Sequence, residues 1–378
     1  MRIALLTRSY PADDDLYKYP FVHRRVLAYK AAGHDVRVVR LGAAASVHVF
    51  EGVECLTVRP VDFDSAVFGF APDVVAVHGL DEMQWPAIAS LNGRLPVCAW
   101  LHGSEIPSIL RAKALLLTEE VEREHALELT RKRTVFWQAA LSPWPSGLRF
   151  AFPSQSAAAL FAEDVGAGMR GDRTKVISNP IDTILFPAKR KMPEDALRIL
   201  SIRPHDSWAY ANDLAVKVVL VLQRHSRFTE MRFTFVGDGP LFDETFAPLQ
   251  HLSNVTIRRG FLRQQDIPLE HATHGVFLAP SRLDTQGVSR DEAMSSGLVP
   301  VTNRIHAIPE FVDGTCAGLA APEDVASMAD EIACMIDQPE VFLARSRAAA
   351  SRVRAQSAQA LVIPRDLEWM QQAVDAHR

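Results

Sequence analysis

PSRLDTQGVSRDEAMSSGLVPVTN, residues 280–303, joins two strands through a glycine turn and a helix. Ahead of it, Gly275–Ala279 (GVFLA) reads as a short apolar strand closed by Pro280. Gly287-Val288-Ser289 turns the chain into a helix predicted over about Arg290–Ser296, which Gly297 stops. Leu298–Thr302 (LVPVT) returns as the next strand. A glycine turn that opens a helix presents unpaired main-chain N–H groups and the positive end of the helix dipole, an arrangement suited to phosphate. Asp284 and Glu292, eight positions apart, bracket the turn. Carboxylates bind phosphate poorly but accept hydrogen bonds from the hydroxyls of a ribose or a sugar. Together these features point to a sugar nucleotide.

Outward from this stretch, short β-rich apolar runs alternate with helix-like segments, the pattern of parallel sheets with crossover helices. One series is Ile3–Leu6, Val36–Val39, Val74–Val77 and Val97–Trp100; a second is Ile199–Ile202, Phe233–Val236, Val255–Ile257, Val276–Leu278 and Val299–Thr302. The two series predict an α/β chain of two doubly wound, Rossmann-like domains facing a cleft, the default place for a ligand of open parallel sheets. The expected domains are 1–186 and 194–355, followed by a segment 356–378. Ser178-Asn179-Pro180-Ile181-Asp182 leads into the linker at Pro187–Pro193.

A chain of 378 residues, 48% hydrophobic and 23% charged, fits an ordinary globular protein with ample core. Its net charge of −4 gives no electrostatic basis for binding nucleic acid. Cys55, Cys98, Cys316 and Cys334 have no CxxC spacing and read as reduced thiols. The apolar run at the N-terminus is too short for a signal peptide or membrane span, so a cytoplasmic protein is expected.

Glu292-Ala293-Met294-Ser295-Ser296-Gly297-Leu298-Val299-Pro300, preceded by Asp284 and the Gly287 turn, resembles a motif of the retaining GT-B glycosyltransferases of family four (GT4). That motif is an acidic pair spaced E-x7-E with an E-A-M/L-A-x-G-x-P-V continuation; the first acid here is Asp rather than Glu. The resemblance implies that the C-terminal domain holds a nucleotide sugar, UDP- or GDP-linked, and the N-terminal domain the acceptor. It also implies that the last helix, Leu361–Ala376, crosses back to the first domain through Leu361, Leu367, Trp369-Met370 and Val374. Glu292 would then hold the ribose, Asp284 the donor sugar, and the amides of Gly287, Val288 and Ser289 the diphosphate. Gly237 and Gly239 in Val236-Gly237-Asp238-Gly239-Pro240 match a family G-x-G-P and would line the donor site, a tight turn being the alternative.

Arg203 follows the strand Ile199–Ile202, where the family carries G-R-x-x-x-x-K-G. The arginine is present and the lysine is not; Trp208 and Tyr210 stand nearby, with Lys217 as an unaligned substitute. His102, in Trp100-Leu101-His102-Gly103-Ser104-Glu105, matches the family histidine at the donor sugar and reacting carbon. Glu105 and His78 are expected on the acceptor side. The first loop, Thr7–Pro20, lacks the family's Gly-Gly. Its Asp13-Asp14-Asp15 run reads as a solvated loop rather than a metal motif, so neither a metal nor another cofactor is expected. Asn179-Pro180-Ile181-Asp182 matches the family's hinge segment N-x-[IV]-D, with a plain turn as the alternative. Arg131–Trp137 (RKRTVFW) reads as a solvated helix face, with peripheral membrane contact as the alternative.

The activity implied is transfer of a sugar from a nucleoside-diphosphate donor to a hydroxyl of a glycan or lipid-linked acceptor, in bacterial surface polysaccharide or glycoconjugate biosynthesis. Three alternatives share the architecture: a sugar-nucleotide epimerase, a phosphorylase, and a catalytically silent nucleotide-sugar-binding relative.

Overall fold

The structure, a computed structural model, describes all residues except 113–116, 118 and 167–170. It divides into two compact units: Met1–Pro180 with Gln359–Arg378, and Ile181–Ala358. The chain therefore changes unit at 180/181 and 358/359, not at the boundaries read from sequence. Contacts within the second unit explain the shift. Ile181 N–H donates to Ser357 O at 2.8 Å, and the buried Phe186 accepts Ser295 Oγ on its carbonyl at 2.6 Å. The stretch read as a linker is also tied to this unit. Lys191 is buried, and its Nζ donates to the carbonyls of His271 and His274 at 2.6 and 2.7 Å, one in the last turn of the helix Ile267–Thr273 and one just past its end.

Unit 1 contains β1 (Arg2–Thr7), β2 (Asp35–Leu41), β3 (Ser46–Phe50), β4 (Val53–Val58), β5 (Val74–His78), β6 (Val97–Trp100), β7 (Leu148–Phe152) and β8 (Thr174–Val176). Their order is β3-β4-β2-β1-β5-β6-β7-β8, parallel except for the β3–β4 hairpin. The central strands are apolar throughout because both faces are covered. Ile3 and Leu5 of β1, with Val74 and Ala76 of β5, face a layer that includes Val22, Val26, Tyr29, Val362 and Met370. Their neighbours Ala4, Leu6, Val75 and Val77 face the opposite layer with Phe63, Trp137 and Phe161.

Unit 2 contains β9 (Arg198–Ile202), β10 (Arg232–Gly237), β11 (Val255–Arg259), β12 (Val276–Leu278), β13 (Val299–Asn303) and β14 (Gly318–Ala320), ordered β11-β10-β9-β12-β13-β14 and parallel throughout. Val276, Leu278, Val299 and Val301 pack under the helices Asn212–Leu222 and Val325–Asp337, while Phe277 and Leu298 fill the other face with Ala293. Strand order reverses between β1 and β5 in unit 1 and between β9 and β12 in unit 2. Such switch points open a crevice at the carboxyl ends of the strands, where ligands of doubly wound sheets bind.

The last helix, Gln359–His377, belongs to unit 1. Val362, Ile363, Trp369, Met370, Ala373 and Val374 are its buried apolar residues; Leu361, expected on that face, is 39% exposed. Between the apolar residues lies Asp366, fully buried and paired with the fully buried Arg25 of the helix Pro20–Ala31 at 2.9 Å. Removing one partner of a buried pair leaves an uncompensated charge, at a cost of about 3–5 kcal/mol. Asp366→Ala is therefore expected to destabilise unit 1 by about that amount in chemical denaturation. Tryptophan fluorescence reports it, since five of the six tryptophans, all but Trp208, lie in unit 1.

Candidate functional site

At the switch point of unit 2, Arg203 leaves the end of β9 and reaches the end of β12. Its Nη2 donates to Pro280 O at 3.2 Å and to Ser281 Oγ at 2.8 Å. Ser281 is in turn fixed by Asn303, whose amide exchanges hydrogen bonds with the Ser281 main chain at 2.9 and 2.7 Å. Arg203 is only 6% exposed, lies over the Tyr210 ring at 5.3 Å, and keeps its Nε unpartnered. The predicted diphosphate arginine thus sits across the strand ends with a hydrogen-bond donor to spare.

Gly237 and Gly239 have a packing reason of their own. A Cβ on Gly237 would stand 1.9 Å from the Arg203 carbonyl oxygen; one on Gly239, whose φ is 142°, would stand 2.4 Å from the His205 carbonyl carbon. The two glycines let the main chain after β10 press against residues 203–206. His205, which sequence reasoning left out of the site, is buried there against Phe242 and Phe246. Burial, reinforced by the Arg203 charge, lowers its pKa to about 4.

The helix of the 280–303 stretch begins at Val288 rather than Arg290 and ends at Ser295. Gly287 precedes it at φ 90°, ψ 62°, a left-handed conformation that glycine adopts without a Cβ clash. The helix has no side-chain cap, so its first amides, those of Val288, Ser289 and Arg290, lie beyond the reach of intrahelical carbonyls. Asp284 Oδ1 accepts the Gln286 N–H at 2.9 Å, closing the turn on itself. Glu292 is 8% exposed and accepts a hydrogen bond from the Gln264 side-chain amide.

Three charged residues of this stretch escaped the sequence reading. Arg290 and Asp291, 2% and 1% exposed, form a buried ion pair at 2.7 Å; Arg290 also donates to the Gln286 carbonyl, and the Gln286 amide donates to Asp291 at 3.2 Å. Arg290 Nη1 has no partner and lies 2.8 Å from where a Gly287 Cβ would be. Arg282 forks onto Asp213 at 2.7 and 2.9 Å and onto Glu323 at 2.8 and 2.9 Å, and donates to Trp208 O at 3.1 Å. It clamps the 207–210 turn. Lys217, the substitute cation considered from sequence, is 56% exposed and paired with Asp213 at 3.1 Å.

In unit 1, β5 ends at His78 and β6 is followed by His102, and the structure brings the two rings together. His78 Nδ1 and His102 Nε2 are 2.9 Å apart, with the rings stacked at 5.2 Å; His78 also stacks on Trp100 at 5.1 Å. Burial holds both imidazoles well below their ordinary pKa, assisted by the Arg25 charge. A neutral imidazole has one N–H and one bare nitrogen. His78 Nε2 is buried without a partner, and one ring donates to the other between His78 Nδ1 and His102 Nε2. His102 is also hydrogen-bonded to Asn179. The unbranched backbone after β5 serves this packing: a Cβ on Gly79, at φ 73°, would stand 2.8 Å from the Tyr19 ring.

Glu105 is 2% exposed; its Oε2 accepts the Gly103 N–H at 2.9 Å, its Oε1 has no partner, and burial raises its pKa. In the first loop, Asp13 and Asp14 are exposed, and Asp15 pairs with Lys18 at 2.8 Å. Among the described residues, no group of three or more His, Cys, Asp or Glu side chains is placed to hold a metal ion. In the segment 131–137, Trp137 belongs to the core and Phe136 packs against it, while Arg131 and Lys132 are exposed. No helix among the described residues is long and apolar enough to cross a membrane.

Residues 205–338, which hold most of this unit 2 geometry, match the family model of glycosyl transferases group 1. A 118-residue stretch is 30% identical to the sulfoquinovosyl transferase SQD2 of Arabidopsis thaliana, covering 30% of this chain and 23% of that protein. The match thus spans about a quarter of the curated relative. Three solved structures share the fold over nearly the whole chain. Sucrose-phosphate synthase from Thermosynechococcus elongatus is similar at a TM-score of 0.76 and 14% identity, covering 100% of both chains. Anabaena HepE, solved with UDP and glucose, gives 0.72 and 15%, covering 98% of this chain and 100% of that one. A Burkholderia vietnamiensis α,α-trehalose-phosphate synthase gives 0.72 and 13%, covering 99% and 98%. In fold, the chain is GT-B: two Rossmann-like domains.

The neutral histidines carry a pH consequence. His78 and His102 are held well below the ordinary value, and burial puts His205 at about 4 and His271 at about 3. In the unfolded chain they titrate near 6.5, so below that pH the unfolded state binds protons that the folded state refuses. Stability is expected to fall as pH drops from about 6.5 towards 4, by up to about 1.4 kcal/mol per pH unit for each histidine. Guanidinium midpoints at pH 7.5 and pH 5.5 test this; equal midpoints would contradict the buried neutral assignment.

Proposed function

We propose that the chain is a retaining GT4-type glycosyltransferase. It moves a sugar from a UDP- or GDP-linked donor to a hydroxyl of a glycan or lipid-linked acceptor, in bacterial surface polysaccharide or glycoconjugate assembly on the cytoplasmic side of the membrane. The reading rests chiefly on one arrangement. At the carboxyl end of β12, a left-handed Gly287 opens an uncapped helix whose first amides lie between Asp284 and Glu292, within the segment that matches glycosyl transferases group 1.

In this reading the amides of the 287–290 turn and the Arg203 guanidinium take the developing charge of the departing diphosphate, a role in which preorganised donors contribute most. Glu292 receives the ribose hydroxyls and His102 acts at the donor sugar. A departing phosphate oxygen accepts the proton of the attacking hydroxyl on the face it leaves. No protein nucleophile, metal or further cofactor is assigned a part. The protein then acts by position and charge.

Thermal shift with UDP, GDP, ADP and their sugars identifies the donor. Hydrogen bonds to charged groups contribute about 1.5–3 kcal/mol, so Glu292→Ala is expected to weaken nucleotide binding by about tenfold or more. Arg203→Ala is expected to lower kcat more than it raises KM. Retention is checked by the anomeric configuration of the product, read by NMR. Full activity in both variants, or a nucleoside diphosphate bound away from residues 287–292 in a soaked crystal, would refute the site.

A further inference from the structure

Unit 1 has a crevice at its own switch point. Residues after β1, β5 and β6, joined by one helix, line a pocket of about 300 Å³ that includes Arg8, Asp81, Glu82, Ser104, Arg133 and Trp137. That volume suits a small polar ligand. Its walls are unlike an apolar cofactor site: two guanidiniums enter it from different elements, Arg8 from the loop after β1 and Arg133 from the helix Glu120–Ala140.

Among the described residues, neither guanidinium has a carboxylate oxygen closer than 3.9 Å. Arg8 Nη1 is 3.9 Å from Asp81 Oδ2, the outer limit of an ion pair, and its other contact is with Tyr19. The Asp81 carboxylate is turned towards its own loop, accepting the Gln84 N–H at 2.9 Å. Arg133 donates to the Ser104 main-chain carbonyl. Each guanidinium carries five N–H groups, so among the described residues these contacts engage only a minority of the donors. Burial pulls the Arg133 guanidinium below its ordinary pKa; the Glu105 and Glu82 charges oppose the shift and the Arg8 charge adds to it. Behind Ser104, the buried Glu105 is biased by burial towards its neutral form.

We propose that this pocket binds an anionic group, a phosphate or carboxylate carried by a polyhydroxylated molecule, between Arg8 and Arg133. Planar guanidiniums pair with such groups in two-pronged fashion, while Asp81 and Glu82 accept the molecule's hydroxyls. Assigning this molecule as the acceptor rests on the sugar-transfer reading above; the anion site itself does not. The same headgroup chemistry occurs on a free sugar phosphate and on a phosphoinositol lipid, and Met83 at the rim is 85% exposed.

Isothermal titration of the full chain, with UDP present to saturate any nucleotide site, uses glucose 6-phosphate, glucuronate and glucose as probes; flotation with vesicles of phosphatidylcholine, with or without phosphatidylinositol, tests the lipid form. Binding of an anionic probe at least tenfold tighter than glucose is expected, with loss of about tenfold or more in Arg133→Gln and in Arg8→Gln. Lys132→Gln, on the exposed face of the same helix, is expected to change nothing. Arg8 is 43% exposed, so its variant tests the site even if Arg133→Gln fails to fold. Glucose binding as well as the anions do, no binding of any anionic probe, or anion binding indifferent to both arginines would overturn the proposal. UDP binding without anion binding would sink the pocket and leave the transfer reading standing; anion binding without any nucleotide binding would do the reverse.

Discussion

Unit 1 is organised around one buried charge pair. Asp366 Oδ2 accepts from Arg25 Nε and from the Tyr29 hydroxyl, each at 2.9 Å, and Oδ1 accepts from Trp100 Nε1 at 2.9 Å. The other arm of Arg25 donates to Asn179 Oδ1 at 2.8 Å and to Ser178 O at 3.3 Å. Taking two charges out of water costs several kcal/mol per ion, and attraction repays this only when the remaining donors and acceptors are satisfied. Here they are satisfied by four separate parts of the chain: the first helix, the end of β6, the segment leaving the unit, and the last helix. The pair therefore fixes register as much as it stabilises. Trp100, held by Asp366, is the surface on which His78 stacks, and His78 holds His102. The histidine geometry at the strand ends is thus set by an ion pair buried beneath it.

This dependence also governs charge. With His78, His102, His205 and His271 kept neutral by burial, the permanent positive charge at the two switch points comes from arginines and main-chain amides. Arginine suits that task because its guanidinium stays protonated and offers donors in a fixed fork. Arg203 and Arg290 each retain one unpartnered nitrogen, while Arg282 is spent on Asp213, Glu323 and Trp208. The first two keep a donor to spare and the third is a structural clamp, although nothing in composition distinguishes them.

The two-domain α/β architecture was legible because strands covered on both faces become unbroken apolar runs, as in Val74–Val77 or Val276–Leu278. Edge strands carry no such mark. In the β3–β4 hairpin, Val47 and Val49 are 55% and 60% exposed, and the two-residue turn is Glu51-Gly52, with φ of 43° and 75°, rather than the more telling Asn-Gly. β14 is three small or apolar residues long. The candidates Arg203, Gly287, Glu292 and His102 stand out in the sequence because each belongs to a local pattern that follows a strand. Arg25 with Asp366, or Arg282 with Asp213 and Glu323, depend on partners far along the chain. Arg290 and Asp291 are adjacent, yet charged neighbours at a helix start ordinarily read as solvated; only the packing shows them buried. The unit boundary was displaced for a similar reason, since Pro187–Pro193 reads as a polar linker until Lys191 is seen buried against two carbonyls.

Asp284 is where the residue type alters the chemistry. Its carboxylate closes a turn with the Gln286 N–H, and its other oxygen would lie 3.1 Å from a Cβ on Gly287. A glutamate carries one more methylene and would project past that turn, whereas the shorter aspartate bonds back to its own main chain, as Asp commonly does. The acid at 284 thereby closes the turn that leads into the left-handed Gly287. Glu292, in the helix that Gly287 opens, accepts instead from the Gln264 side-chain amide. The acidic pair has divided its contacts: Asp284 bonds back to its own turn, and Glu292 accepts from a side chain of a separate segment.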